Sequence, residues 1–232
     1  MLHSLVAFVL LASSGFASPV EMDGRQTACQ SVHVFVARGS DEPYPGRQGA
    51  LATAICDDIS SCGYEDIQYP ATFDDYCTSS QTGVTNGKSA ITAYAAQCPD
   101  AKIVLTGYSQ GAQVIGDILG GGGGSLGTCT QPASTGLSRT TSPGNKIAAA
   151  LLFGDVRHVA SQAYNTGTGA SKNGIYPRST TQISGLNAYS SVLRSWCLSG
   201  DPVCAQGTDF NAHTTYFDVF TSEAAAWAKT KL

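Results

Sequence analysis

The stretch KIVLTGYSQGAQVIGDIL (102–119) decides how this chain folds. Its first seven residues, 102–108, form a nearly continuous apolar run, as a strand buried on both faces of a sheet should. Residues 111–119 switch to helical spacing, with Val114, Ile115 and Ile118 on one side. Between the two stands Ser109, with Gly107 and Gly111 two residues away on either side. In a chain with 26 glycines a G-x-S-x-G pattern says little by itself. Placed where a buried strand turns directly into a helix, it reads as a nucleophile elbow. The turn is sharp, the glycines let strand and helix approach, and the free N–H groups of the helix face the reaction zone.

The same alternation extends to both sides. SVHVFVAR (31–38), EDIQYP (65–70), KIAAALLFGD (146–155) and SVLRSWC (191–197) read as further strands. RQGALATAICDDI (47–59) and GVTNGKSAITAYAAQC (83–98) read as helices. So does TTYFDVFTSEAAAWAKTKL (214–232), with Phe217, Phe220, Ala224 and Trp227 toward the sheet. This order predicts an α/β fold: a parallel, doubly wound sheet flanked by helices, with its site at the strand C-termini. The run Gly120–Gly124 follows a helix and lacks the Lys-Ser/Thr of a phosphate loop, so it reads as a flexible connector. Residues 159–189, rich in Ser, Thr, Asn and Gly, read as a long surface excursion.

A length of 232 residues suits one domain. Only 13% of residues are charged and the net charge is −4, which argues against nucleic acid or an anionic membrane as partner. Residues 1–17 have the apolar run and small −3 and −1 residues (Gly15, Ala17) of a secretory signal, cleaved after Ala17. Residues 18–28 are expected to be a short propeptide or flexible N-terminus, and 29–232 a single catalytic domain. No segment is long enough to span a membrane. Eight cysteines behind a signal peptide imply four disulfides in an oxidising compartment, with 105 pairings open. There is no C-x-x-C and the histidines are scattered, so no zinc or other metal is expected.

A serine hydroxyl needs a base, and the base needs an orienting acid. Of three histidines beyond the signal, His33 lies inside the first strand and reads as structural. His158 follows a strand exit and is a weaker candidate. His213 sits just before the terminal helix, where an α/β-hydrolase places its base. Asp155, Asp201 and Asp209 lie between Ser109 and His213. Asp201 follows a strand and sits between Cys197 and Cys204, so it is favoured. The order Ser, Asp, His is that of α/β-hydrolases. Oxyanion donors are expected at the backbone N–H of Gln110 and at Ser40, in the loop ARGSDEPYPG (37–46).

From about Cys29 to Leu232 the chain resembles the secreted fungal cutinase and acetylxylan esterase family, carbohydrate esterase family 5. The resemblance rests on HVFVARGS, YPA (69–71), Cys98-Pro99, GYSQGAQV, LFGD, and SGDPVC followed by His213. It implies Ser109 as nucleophile, His213 as base, Asp201 as orienter, and Ser40 and Gln110 as oxyanion donors. It also implies a small α/β-hydrolase with a five-stranded parallel core, no large lid and no cofactor. The implied disulfides are Cys29–Cys98 and Cys197–Cys204, with Cys56–Cys62 and Cys77–Cys129 following. The expected function is that of a secreted, monomeric serine esterase acting on plant cell-wall polysaccharide or polyester. One candidate flank of the site, 72–87, reads as polar, and the other, 205–213, has Phe210 as its only large apolar residue, which favours acetyl groups on xylan over cutin. The alternative of another class is a non-catalytic elicitor or binding protein on a hydrolase scaffold; the intact Ser109, Asp201 and His213 argue against it.

Overall fold

The five segments read as strands each place a strand in one parallel sheet. The structure, a computed structural model, describes residues 28–232. The expected signal segment, and all but the last residue of the expected 18–28 segment, lie outside the described residues. In chain order the elements are β1 (Val32–Ala37), α1 (Gly49–Cys56), β2 (Cys62–Asp66), α2 (Tyr76–Gln97), β3 (Lys102–Tyr108) and α3 (Gln110–Gly120). Then follow β4 (Gly122–Leu126), β5 (Cys129–Ser134), β6 (Ile147–Phe153), β7 (Asn165–Thr166), α4 (Thr180–Asn187), β8 (Leu193–Trp196), α5 (Phe210–Thr214) and α6 (Tyr216–Lys229). The main sheet has the order β2-β1-β3-β6-β8-β7, and every pairing in it is parallel.

Helices cover both faces, which is why the central strands β1, β3 and β6 are apolar along nearly their whole length. On one face Phe35, Ile103, Leu105, Ala150 and Leu152 pack against α2, α3 and α4 through Ile91, Val114, Ile115, Ile118 and Leu186. On the other, Val34, Val36, Val104, Leu151 and Phe153 pack against α1 and α6 through Leu51, Ile55, Ala224 and Ala228. Phe217, Phe220 and Trp227 border this second cluster from α6.

The sheet has six strands where five were expected. The added strand, β7, is two residues long and lies at the edge, too short to leave a pattern in sequence. The second strand begins earlier than the expected 65–70, because residues 62–66 pair with β1 although none is fully buried. Helix α2 begins at Tyr76 rather than near 83. Its early buried face is made of Cys77, Ser80, Gly83 and Val84, small residues on which α3 packs closely.

Two loop expectations are corrected. Gly120–Gly124 is not a flexible connector: Gly122–Leu126 forms β4, paired antiparallel with β5 in a hairpin outside the main sheet. The segment 159–189 is not a mere surface excursion. It holds β7, the fully or nearly buried Tyr164, Leu186 and Tyr189, and helix α4 with a Ser179–Gln182 capping box.

Four disulfides close the fold: Cys29–Cys98, Cys56–Cys62, Cys77–Cys129 and Cys197–Cys204. Among the described residues no helix is long and apolar enough to cross a membrane, and no group of acidic, His and Cys side chains is arranged to hold a metal.

Candidate active site

From β1 the chain moves outward one way to β2, and from β3 it moves the other way to β6 and β8. The crevice at this reversal, outside the C-terminal ends of β1 and β3, is where doubly wound sheets bind ligands. Ser40 lies in the loop after β1, and Ser109 follows β3 directly.

Ser109 has φ 55° and ψ −118°, a conformation that L-residues rarely adopt. Surrounding contacts impose it. The Ser109 N–H donates to Phe153 O of β6 at 2.9 Å. A Cβ on Gly111 would lie 1.9 Å from Ala37 O, and one on Gly107 would lie 2.3 Å from Gly111 O. Only glycines let α3 cross so close to β1 and β3, and that crossing aims Ser109 outward.

His213 reaches the serine from α5, 104 residues later. Its Nε2 lies 3.0 Å from Ser109 Oγ, and its Nδ1 2.8 Å from Asp201 Oδ2. An ionised carboxylate only accepts, so Nδ1 carries the proton and Nε2 is free to accept from the serine hydroxyl. The imidazole is 4% exposed and Asp201 is fully buried. Tyr108 OH donates to His213 O at 2.9 Å. Gly154, at φ +58°, leaves room for the ring: a Cβ there would meet His213 Cε1 at 2.9 Å.

Asp201 accepts from four donors. Oδ2 takes His213 Nδ1–H and Tyr216 O–H at 2.7 Å, while Oδ1 takes Val203 N–H at 2.6 Å and Cys204 N–H at 3.3 Å. Burial alone would raise its pKa. The hydrogen bond and charge of His213, then the Tyr216 hydroxyl and the Val203 N–H, outweigh burial and hold the carboxyl below its usual range. The Cys197–Cys204 bridge closes the segment that carries it.

The other candidates are engaged elsewhere. Asp155 accepts from the Arg157 N–H and pairs with Arg178. Asp209 caps α5 by accepting from Asn211 N–H at 3.0 Å. His158 is buried against Ser195 Oγ at 3.3 Å. His33 contacts Gln30 and stacks on Tyr94 with centroids 4.0 Å apart.

Gln110 opens α3, so its backbone N–H has no partner within the helix. Its buried side chain also ties the site together. Oε1 accepts from Ser40 Oγ–H at 3.1 Å, and Nε2 donates to Thr72 O and Ser80 Oγ at 3.2 and 3.3 Å. The single hydroxyl proton of Ser40 is thereby directed to Gln110.

Ser109 opens onto a cleft of about 480 Å³. Only part of its wall comes from the polar stretch 72–87, through Phe73, Asp75 and Tyr76. The rest is Leu126–Cys129, Val156, Ile175, Tyr176 and Val203, so the cleft is more apolar than the two sequence flanks suggested. The sequence reading missed these wall residues, and also Gly154 and Tyr216. Tyr216, three residues after His213, carried no signal beyond that of one more aromatic residue in a terminal helix.

A family model described as Cutinase matches residues 28–232. The chain is 30% identical to Acetylxylan esterase 2 of Talaromyces purpureogenus, over the whole of both proteins. It is also 30% identical to Cutinase 11 of Verticillium dahliae, over 97% of this chain and 76% of that protein. The catalytic core domain of acetyl xylan esterase from Trichoderma reesei superposes with a TM-score of 0.78 at 28% identity, covering 88% of this chain and 100% of the other. In sequence and in fold, the chain belongs to the cutinase family and is a carboxylic ester hydrolase.

Proposed function

We propose that this protein is a secreted serine esterase, working as a monomer, that removes acetyl groups from acetylated xylan. The observation that carries the reading is the continuous line of hydrogen bonds from Ser109 Oγ through His213 to Asp201, open to a cleft. As Oγ attacks the ester carbonyl, its proton passes to His213 Nε2. The oxyanion meets the N–H groups of Gln110 and Ser40. Collapse of the tetrahedral intermediate breaks the ester C–O bond, passes the His213 proton to the departing sugar oxygen and leaves acetyl-Ser109. Water, deprotonated by His213, then releases acetate and restores the serine. The Asp201 carboxylate holds the imidazole in one tautomer and stabilises its charge during both steps.

Acetylated xylan is favoured by the end-to-end likeness to an acetylxylan esterase and by the rim of the site. Phe73 and Phe210, 67% and 65% exposed, offer aromatic faces suited to sugar rings, and Asp75 adds an exposed carboxylate for hydroxyls. Four disulfides suit an extracellular enzyme. A second reading, hydrolysis of cutin or other longer acyl esters, is favoured by one feature: the wall of Leu126, Val156, Ile175 and Val203 beside Ser109 is more apolar than an acetyl group needs.

The test compares rates on p-nitrophenyl acetate, butyrate and longer esters, then on acetylated xylan and cutin. Ser109→Ala serves as control and should lose activity by about 10⁶-fold. Preference for acetyl and for xylan is expected. Preference for long chains and cutin would replace the first reading with the second. A serine-directed phosphonate that labels no residue would remove both.

A further inference from the structure

We infer that Tyr216 is a positioning residue for this reaction, its hydroxyl holding Asp201 Oδ2 in line with His213 Nδ1. The inference rests on the proposed roles of Ser109, His213 and Asp201. Tyr216 O–H donates to Asp201 Oδ2 at 2.7 Å, the same oxygen that receives His213 Nδ1–H at 2.8 Å. The phenol oxygen in turn accepts from Leu198 N–H at 3.0 Å. With that lone pair occupied, the hydroxyl proton goes to the carboxylate at 2.7 Å rather than to the Cys204 disulfide sulfur at 3.2 Å, a far weaker acceptor. Tyr216 is fully buried, its ring packed near Phe153 and Tyr108. Packing would be served equally by phenylalanine, so the hydroxyl serves its polar bonds, and the one that reaches the site is the bond to Asp201.

The placement is economical in chain terms. Tyr216 opens α6 two residues after α5, the helix that carries His213, ends. Base and positioning hydroxyl therefore arrive together on one short segment, and both converge on a carboxylate carried by the Cys197–Cys204 loop. The groups facing the imidazole–carboxylate pair are Ser109, the Tyr108 ring and hydroxyl, the Phe210 ring, and the N–H groups of Val203 and Cys204. Arg47 and Glu42 lie within electrostatic reach of Tyr108, and His158 lies within that of Asp201. Apart from His213, Tyr216 is the side chain whose hydrogen bond reaches the reactive oxygen of Asp201.

Sharing that oxygen has two effects. The carboxylate is held against rotation, and part of its charge is drawn away from the imidazole. Without the hydroxyl, Oδ2 faces His213 alone and stabilises the imidazolium more strongly, so a higher pH is needed to free Nε2 as base.

The test is Tyr216→Phe in the full chain, with kcat and KM on p-nitrophenyl acetate measured across pH. We expect kcat to fall about 10-fold with KM within about 2-fold, and the acid limb of kcat/KM to move up by about 0.5 pH unit. The downfield ¹H resonance of His213 Nδ1–H should shift in parallel. A kcat loss with the acid limb and resonance unmoved would mean a merely structural role and overturn the inference, as would wild-type kinetics. If Tyr216→Phe does not fold, 3-fluorotyrosine at position 216 preserves the shape and donates more strongly. It should move the limb to lower pH, and a limb that stays put overturns the inference. An active Ser109→Ala would instead sink the underlying reading. An inactive Ser109→Ala beside an unaltered Tyr216→Phe would sink this inference alone.

Discussion

Asp201 shows how a single carboxylate is kept ionised where no water reaches it. Four donors converge on its two oxygens, and their sum exceeds the cost of burial. Asp201→Asn keeps the shape but puts an amide where an acceptor is needed, so His213 loses its fixed tautomer. The expected result is a kcat lower by about 10⁴-fold with a folded protein, measured by steady-state kinetics and circular dichroism. A stability consequence follows from the same shift. The folded pKa is depressed below the unfolded value of about 3.9, so the carboxylate's contribution is present above that value. It is lost as pH falls through the folded pKa. The difference in melting temperature between wild type and Asp201→Asn should therefore be widest near neutrality and narrow below about pH 4. Thermal melts at a series of pH values check this.

At the scale of elements, the β4–β5 hairpin joins folding to specificity. It pairs with no strand of the main sheet, and a lone hairpin is marginal in water. Cys77–Cys129 ties it to α2, while Gln131 bonds Gln113 and Asp117 of α3. Its tip, Leu126–Cys129, is one wall of the cleft. Replacing both cysteines, Cys77→Ser with Cys129→Ser, should loosen that wall without touching Ser109, His213 or Asp201. On the loop-entropy model, opening a bridge that spans 52 residues costs about 4 kcal/mol, read in denaturant melts. The kinetic signature should be a KM for acetylated xylan raised several-fold, with kcat on p-nitrophenyl acetate changed by less than about 2-fold.

Across the whole molecule, the layers are locked by a buried ionic cluster beneath the site. Arg178 pairs with Asp155 and Asp117 and donates to Gln113 O of α3. Arg157 pairs with Asp117 and bonds Gln182 of α4 and Gly123 O of the hairpin. Two cations and two anions thus tie α3, the loop after β6, α4 and β4 into one body. Removing one charge strands its partners: Arg178→Leu leaves Asp155 and Asp117 buried and under-compensated. It should cost about 3–5 kcal/mol in equilibrium unfolding. None of this was visible in the segment 159–189, because its polar composition resembles that of a solvated loop. What distinguishes Arg178 is the anions that wait for it on α3 and after β6. The short β7 and the small-residue face of early α2 escaped notice for a related reason: two residues make no pattern, and Cys, Ser and Gly read as polar even where they are buried.

The alternation of strands and helices and the sharp turn at Ser109 are already legible in the order of the residues. Both arise within a few residues, from side chains buried on two sheet faces and from two positions where any Cβ would collide with backbone. Which acid meets which partner is fixed by the fold. Asp155, Asp201 and Asp209 all lie in the same stretch between nucleophile and base; the folded chain gives Asp155 to Arg178, Asp209 to the start of α5, and Asp201 to His213. The walls of the cleft were likewise decided only on folding, since they join residues 73–76, 126–129, 156, 175–176 and 203. Hydrogen bonds and apolar contacts depend on distance in space, and segments so far apart along the chain acquire that distance only when the sheet assembles.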